Sequence, residues 1–214
     1  MSSTSFLFIT AENADVKLVN RLLLTLRNWE CGVDSDWDTF VLVTAKTNTL
    51  PTDMEPTQPP LPEFRRNEWK GAAIKDIETV VLATDREKQA AHGEANWPSN
   101  NLDLFLVLDD QGAADGTIAL FQRAIDDDAE PIAYPERFNK FRTPWTNAYL
   151  DWCNLDISNI GFLEMCDWDG ADKGKNEADG VWWTYSNTVG ELTSEEDRKK
   201  RDAVIKELAG LGLA

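Results

Sequence analysis

The sequence predicts a soluble α/β protein with a single three-layer domain, in which helices cover both faces of a four- or five-stranded, largely parallel sheet. Short apolar runs of strand length alternate with segments whose apolar residues recur at helical spacing. This alternation is typical of parallel strands joined by crossover helices. The clearest run, at residues 104–108, is too short for a helix and ends at two acids. It predicts a strand that is buried on both faces.

The first half of the chain predicts three further strands and the helices between them. Apolar, β-branched runs place the strands at residues 6–10, 40–44 and 79–84. Asn13 is a suitable N-cap for a helix over residues 14–29, whose apolar face has a spacing of three and four residues. The members of that face are Val19, Leu22, Leu23, Leu26 and Trp29. Shorter helices are expected at residues 67–75 and 86–92.

The second half of the chain predicts further helices and an edge strand. Ile118, Phe121 and Ile125 share one face of a helix over residues 117–125. Residues 131–134 could form an edge strand, which Pro131 could begin. Pro144 suits the first turn of a helix that runs to Cys153, and Ser158 could cap another that runs to Cys166.

The C-terminal part ends in the clearest helix of the chain. Residues 181–185 are aromatic and β-branched and predict a strand. Thr193 and Glu196 have the spacing of a capping box. An apolar stripe follows, and Gly210 or Gly212 ends the helix. The stripe consists of Val204, Ile205, Leu208 and Leu211.

Two loops interrupt the single domain, which is expected to span residues 1–214. Residues 50–62 hold five of the nine prolines and predict an extended surface linker. The PxxP spacing of Pro56, Pro59 and Pro62 also resembles a ligand for a proline-binding groove. Residues 167–180 form an acidic loop. Its start resembles a calcium loop, but Ala171 and Asp172 replace the required fifth and sixth residues, so a solvated loop is expected.

Charge and cysteine content narrow the functional classes. The net charge is −17 and the pI is about 4.4, which argues against nucleic-acid and anionic-membrane binding. Residues 101–130 carry a net charge of −7, and residues 151–180 carry −6. These windows predict either a solvated acidic surface or a docking face for a basic partner. The sequence has three widely spaced cysteines, no basic segment before its first apolar run and no long apolar stretch. Together these features predict a cytoplasmic protein.

A segment near the C-terminus carries a family resemblance. Residues 141–145 read FRTPW, and residues 154–159 read NLDISN, with Phe162 following. This pattern resembles the C-terminal signature of an uncharacterised family of small α/β proteins from bacteria and fungi, over about residues 100–168. The resemblance implies an α/β fold and no assigned activity. The residues themselves predict that Asn154 and Asn159 fix a turn rather than recognise a ligand, with Leu155 and Ile157 pointing inward.

Familiar catalytic motifs are missing from the sequence. His92 is the single histidine, and nothing places it near a serine or Cys153 to form a catalytic device. Phosphate-cradling glycine loops, CxxC and HExxH are absent from the sequence. No cofactor and no metal site are therefore predicted from motifs.

The strand ends offer one candidate site. If the strands are parallel, polar residues that follow them meet at one edge of the sheet and could bind Mg²⁺ or act as an acid/base pair. These residues are Thr10, Glu12, Thr84, Asp85, Asp109 and Asp110. The alternative is that these acids cap the following helices.

Two functions follow from these observations. The first is a non-catalytic interaction protein, which binds a basic protein partner through its acidic face or through exposed tryptophans. Exposure of Trp168 or Trp183 would favour this function. The second is an enzyme or small-molecule binder with carboxylates at the edge of the sheet. A concave pocket lined by Glu12, Asp85 and Asp110 would favour the second.

Overall fold

The computed structural model describes residues 4–29, 39–51, 53–92, 100–124, 136–166, 181–186 and 194–214. These residues form one sheet with helices packed against it. The elements in chain order are β1 (Thr4–Ile9), α1 (Val16–Leu26), β2 (Phe40–Val43), α2 (Ile74–His92), β3 (Asn100–Leu108), α3 (Asp110–Asp115), β4 (Thr117–Arg123), β5 (Phe138–Pro144), α4 (Trp145–Asp156), a 3₁₀ helix (Phe162–Met165), β6 (Val181–Trp182) and α5 (Glu195–Gly210).

The sheet is mixed, with the strand order β2-β1-β3-β4-β5-β6. β1 pairs in parallel with both β2 and β3. β4 runs antiparallel to β3 and to β5, and β6 is parallel to β5. The α/β class is as predicted. The predicted largely parallel sheet is not confirmed, because β4 is antiparallel to both of its neighbours. β2, β1 and β3 are parallel to one another and are connected through α1 and α2.

Alternate residues of the central strands enter two hydrophobic clusters. Leu7 and Leu106 belong to one cluster, which also contains buried residues of α1 and α4. Phe8 and Phe105 belong to the other, which contains buried residues of α2. The predicted strand at residues 104–108 is confirmed, and all five of its side chains are buried. Both sides of β3 are therefore packed, which explains its uninterrupted apolar sequence.

The strand predicted at residues 79–84 is wrong, because these residues lie inside α2. Ile77, Val80 and Val81 follow at spacings of three and four and are buried together in one cluster. The hydroxyls of Thr79 and Thr84 donate to carbonyl oxygens four residues earlier, at 2.6 and 2.7 Å. A β-branched run is thus accommodated on one helical face.

The helix predicted at residues 117–125 is also wrong, because residues 117–123 form β4. Its core residues alternate between the clusters, with Leu120 in one and Phe121 in the other. Gly116 has a φ of 70° and ends the short α3 in the left-handed conformation. This turn sends the chain back antiparallel to β3.

Several element boundaries also differ from the predictions. Asp15, rather than Asn13, caps α1, and its carboxylate accepts from the Leu18 amide at 2.8 Å. Ser194 caps α5 in place of Thr193, and Thr193 is outside the described residues. The helix predicted at 67–75 is a turn followed by the start of α2, and the one predicted at 158–166 is the short 3₁₀ helix.

Other predicted elements are found in shorter form or lie beyond the described residues. The helix predicted at 86–92 is the last part of α2, and the helix predicted from residue 144 is α4. Of the strand predicted at 181–185, residues 181–182 form β6. The stripe of α5 is only half-buried, and Leu211 is exposed. The predicted edge strand at 131–134 and the acidic loop at 167–180 are outside the described part of the chain.

The described part of residues 50–62, which we call the proline strap, lies along the outer edge of β2. The Thr57 amide donates to the Phe40 carbonyl at 2.9 Å, and the Thr57 hydroxyl accepts from the Leu42 amide at 2.8 Å. Pro59 is buried, so the strap does not present all its PxxP prolines as a groove ligand requires. The strap covers an edge that could otherwise pair with another chain.

Candidate functional site

The carboxyl ends of β1, β2 and β3 lie at one edge of the sheet, which we call the carboxyl rim. These strands are parallel, and the buried residues of the helices that connect them, α1 and α2, belong to different hydrophobic clusters. The strand order therefore reverses between β1 and β3. Ligands of open α/β sheets bind at such a reversal.

Four of the six predicted site residues meet at this reversal. The amides of Thr10 and Ala11 donate to the Leu108 carbonyl at 2.8 and 3.1 Å. The Glu12 amide donates to the Asp110 Oδ1 at 2.7 Å. Asp109, between Leu108 and Asp110, completes the group. The segments that follow β1 and β3 are thus joined by hydrogen bonds.

Thr84 and Asp85 are elsewhere, because they belong to α2 and not to a strand. The Thr84 hydroxyl is buried and accepts from the Leu50 amide at 2.7 Å. Asp85 forms an ion pair with Arg123 at the end of β4, and Arg123 Nη1 lies 3.6 Å from Asp103 Oδ1. β4 is antiparallel to β3, so this cluster lies at the opposite edge of the sheet. Glu12, Asp85 and Asp110 therefore do not line a common pocket, which would have favoured a small-molecule site.

Asp109 is held by two structural interactions. Its Oδ1 accepts from the Gly112 amide at 2.8 Å, which caps α3, and from Arg142 Nη1 at 2.8 Å. Arg142 Nη2 donates to Oδ2, so the ion pair is bidentate. Burial alone would raise the pKa of Asp109, but the bonds from Arg142 and Gly112 outweigh it and lower that pKa. Asp109 therefore acts as a cap and as a link between β3 and β5.

Glu12 and Asp110 are exposed, and the turn before α2 fills the space beside them. Lys70 Nζ lies 3.6 Å from Glu12 Oε2. The Gly71 amide donates to the Thr10 carbonyl at 2.8 Å. Gly71 has a φ of 68°, and a Cβ there would lie 2.3 Å from Glu12 Oε1. Within the described ranges, no three His, Cys, Asp or Glu side chains are placed to hold a metal ion.

A buried polar cluster between β5 and α4 was missed by sequence reasoning. Asp151 Oδ2 accepts from the Thr143 hydroxyl at 2.6 Å, and Oδ1 accepts from the Tyr185 hydroxyl at 3.1 Å. The Asn147 amide group donates to the Tyr185 oxygen at 3.3 Å. Burial raises the pKa of Asp151 to about 6, although both hydroxyl bonds oppose it. The i, i+4 spacing of Asn147 and Asp151 was a readable signal, but the contribution of Tyr185 was not.

The chain makes an ordered turn after α4, which we call the α4 turn and define as residues 156–164. The Asn159 side-chain amide donates to Asn154 Oδ1 at 2.8 Å, and its backbone amide donates to the Asn154 carbonyl at 2.9 Å. Both asparagines thus fix a turn, as predicted. Leu155 is buried as expected, but Ile157 is 71% exposed, so its predicted inward orientation is wrong. Ile157 caps the helix and therefore leaves the buried face of α4.

Two further surfaces offer a ligand little space or exposure. A depression between α1, α4 and α5, lined by Arg27, Trp29, Tyr149 and Arg201, has a cavity volume of about 10 Å³, which is room for about one water molecule. Trp183 is half-buried against the first cluster, and its indole nitrogen donates to Asn139 Oδ1 at 3.4 Å. Trp183 therefore does not provide the exposed tryptophan that would favour an interaction protein, and Trp168 is outside the described residues.

Comparisons with protein-family models, curated proteins and solved structures found no match. The resemblance over residues 100–168 therefore stays a prediction from the sequence. Among the described residues, no helix combines the length and apolar character that a membrane span requires.

Proposed function

We propose that this chain is a non-catalytic binding protein that recognises a basic partner. The proposal depends on one observation. Residues 143–172 contain six acids and no lysine or arginine, and the α4 turn presents part of this stretch on the surface in a fixed conformation. A cationic partner is the class of ligand that complements such a stretch.

The charge of the whole chain supports the same proposal. A net charge of −17 gives a negative potential that raises the rate of encounter with cations. At the carboxyl rim, one of the predicted acids, Asp109, is paired with Arg142. Asp156 and Glu164 lie in the α4 turn, and Glu164 is exposed.

Titration of a labelled oligolysine peptide tests the proposal, with an oligoglutamate peptide as the charge control. We expect oligolysine to bind and its affinity to fall about tenfold between low and physiological salt, because screening weakens interactions between exposed charges. The double variant Asp156→Asn/Glu164→Gln should bind more weakly than the equally charged control Asp53→Asn/Glu55→Gln in the proline strap. Absent or salt-insensitive binding, or equal loss in both variants, would contradict the proposal.

The carboxyl rim supports a second candidate, a small-molecule binding protein. Glu12, Lys70 and Asp110 are exposed where the strand order reverses between β1 and β3. Thermal melting with and without millimolar Mg²⁺ or Ca²⁺ tests its divalent-ion form, because a ligand that binds only the folded state raises the Tm. An unchanged Tm would eliminate that form.

A further inference from the structure

We propose that α5 is a detachable cover of α1, which undocks as one unit and uncovers the face of α1 beneath it while the sheet stays folded. This conformational change does not depend on the partner proposed above. Three features of α5 support it: shallow burial, stabilising interactions that lie within the helix itself, and a position along α1 that leaves the other bonds of α1 intact.

α5 is held against the rest of the chain by little buried surface. Of its sixteen residues only Arg201 is buried, whereas six of the eleven residues of α1 are. Its apolar stripe, which consists of Val204, Ile205 and Leu208, is only half-buried. Because the hydrophobic contribution follows the apolar area removed from water, α5 is attached more weakly than the elements of the core. Elements with few buried apolar contacts open at a lower free energy than the whole domain unfolds.

Several interactions of α5 lie within the helix and remain when it leaves α1. Its N-cap, Ser194, accepts from the amide three residues further on at 3.1 Å. Two ion pairs follow at i, i+4 spacing, Lys199 with Glu195 and Lys200 with Glu196. Such pairs support an isolated helix, and the acids of the first turn complement the positive end of the helix dipole. These local interactions favour the release of α5 as a unit over gradual fraying from its ends.

α5 packs on α1, and two contacts show which part of α1 it covers. Arg201 shares a surface depression with Trp29, just beyond the end of α1. After α5, the Leu213 carbonyl accepts from the Asn20 side chain, in the middle of α1, at 2.6 Å. α5 therefore runs back along α1, and its departure uncovers the surface between Asn20 and Trp29.

Asn20 also limits how far the opening spreads. Its side chain exchanges hydrogen bonds with the Leu61 backbone, at 2.6 and 3.0 Å, besides its bond to Leu213. Loss of the Leu213 bond leaves both Leu61 bonds in place, so the proline strap stays on the edge of β2. We therefore expect the amides of Leu42 and Thr57, which join the strap to β2, to stay protected while α5 is open.

Native-state hydrogen exchange of the full chain, followed amide by amide with NMR, tests the proposal. We expect the amides in the middle of α5 to share one protection factor, about a hundredfold or more below that of the β3 amides. The amides of α1 and the two strap amides should keep the higher protection, because the sheet and the strap stay in place when α5 opens.

The Ile205→Ala/Leu208→Ala variant tests whether the half-buried stripe holds α5 in place. Alanine is the best helix former, so a loss of protection in this variant reports lost packing and not a weaker helix. We expect the shared protection factor of α5 to fall by about tenfold, with α1 and the strap unchanged. The matched control is Lys206→Ala/Glu207→Ala, which removes two exposed side chains of opposite charge from the same turn and should leave all protection factors unchanged.

Four results would overturn the detachable cover. If the α5 amides exchange as slowly as those of β3, the helix leaves only when the whole domain unfolds. If protection falls steadily toward the ends of α5, the helix frays and is not released as a unit. If the alanine variant and its control exchange equally, the stripe does not hold α5. If the strap amides lose protection together with α5, the opening is not confined to that helix.

Discussion

Asp151 is a buried carboxyl that links three parts of the chain. Its two oxygens accept hydroxyl protons from Thr143 on β5 and from Tyr185 after β6, while its own backbone belongs to α4. Tyr185 also stacks on Phe141, with ring centroids 5.1 Å apart. The site therefore fixes the end of β6 against the helix, and the protonation of one carboxyl affects that attachment.

The Asp151→Asn variant should change the pH dependence of stability. Burial raises the pKa of Asp151 from 3.8 to about 6 in the folded state, so the folded protein holds the proton more tightly than the unfolded chain. The free energy of unfolding of the wild type, relative to that of the variant, should be highest below about pH 4 and should fall as pH rises through 6. The fall should be at most about 3 kcal/mol.

Urea unfolding of both proteins between about pH 4 and pH 8 measures this difference. Taking the difference removes the pH dependence that the two proteins share through their other acids. A difference that stays constant with pH, or one that rises, would show that the pKa of Asp151 is not raised in the folded state.

Individual residues differ in how much of their role was predictable. Asp109 followed by Gly112 has the local spacing of an N-cap, and the sequence offered capping as an alternative. Its partner Arg142 lies 33 residues away, and their contact depends on β5 lying two strands from β3. No local pattern carries that pairing, which explains why Asp109 was also offered as a ligand.

At the level of elements, two predictions failed for related reasons. Residues 79–84 and 117–123 are short apolar runs, and a run of that length cannot distinguish a buried strand from one face of a helix. In α2, Val80 and Val81 lie on one face of a 19-residue helix whose remaining residues are mostly polar. In β4, packing on both faces leaves no polar alternation to identify a strand. By contrast, α1 and α5 combined a helical period with end signals, and their existence was predicted correctly. β1 and β2 were also predicted correctly, from apolar runs of the same ambiguous kind.

Asn20 holds the proline strap in place. It is fully buried on α1, and its side chain exchanges hydrogen bonds with the Leu61 backbone, at 2.6 and 3.0 Å. The same amide group donates to the Leu213 carbonyl at 2.6 Å. One side chain therefore connects α1, the strap and the segment after α5, and the strap in turn covers the edge of β2.

The Asn20→Ala variant should lower the free energy of unfolding by about 2–4 kcal/mol, because it leaves buried backbone groups without partners. We also expect faster hydrogen exchange at the amides of Leu42 and Thr57, which join the strap to β2. Gln58→Ala, an exposed change within the strap, is the control and should leave both quantities unchanged. Normal protection at the two amides in Asn20→Ala would show that Asn20 does not hold the strap.

At the scale of the whole molecule, three cations of the described residues, Arg123, Lys140 and Arg142, are buried or half-buried beside acids. Lys140 is fully buried and pairs with Glu78 of α2, and Lys140 Nζ lies 5.2 Å from the centroid of the Phe121 ring. Arg142 and Arg123 pair with Asp109 and Asp85 in partly buried positions. These pairs use positive charge to join elements of the fold, so much of the net charge of −17 resides in acids nearer the surface.

This distribution predicts how salt affects stability. Salt screens exposed charges strongly and buried pairs weakly, so added NaCl should relieve repulsion among surface acids while leaving the Lys140–Glu78 pair nearly intact. We expect the Tm to rise by a few degrees, on the order of 3–5 °C, between about 10 and 200 mM NaCl. The Asp156→Asn/Glu164→Gln variant should gain less, because part of the repulsion is already removed. Differential scanning calorimetry measures the Tm of both proteins. A Tm that falls with added salt would mean that attraction between exposed ion pairs outweighs the repulsion among surface acids. That outcome would contradict the acidic surface as a recognition feature.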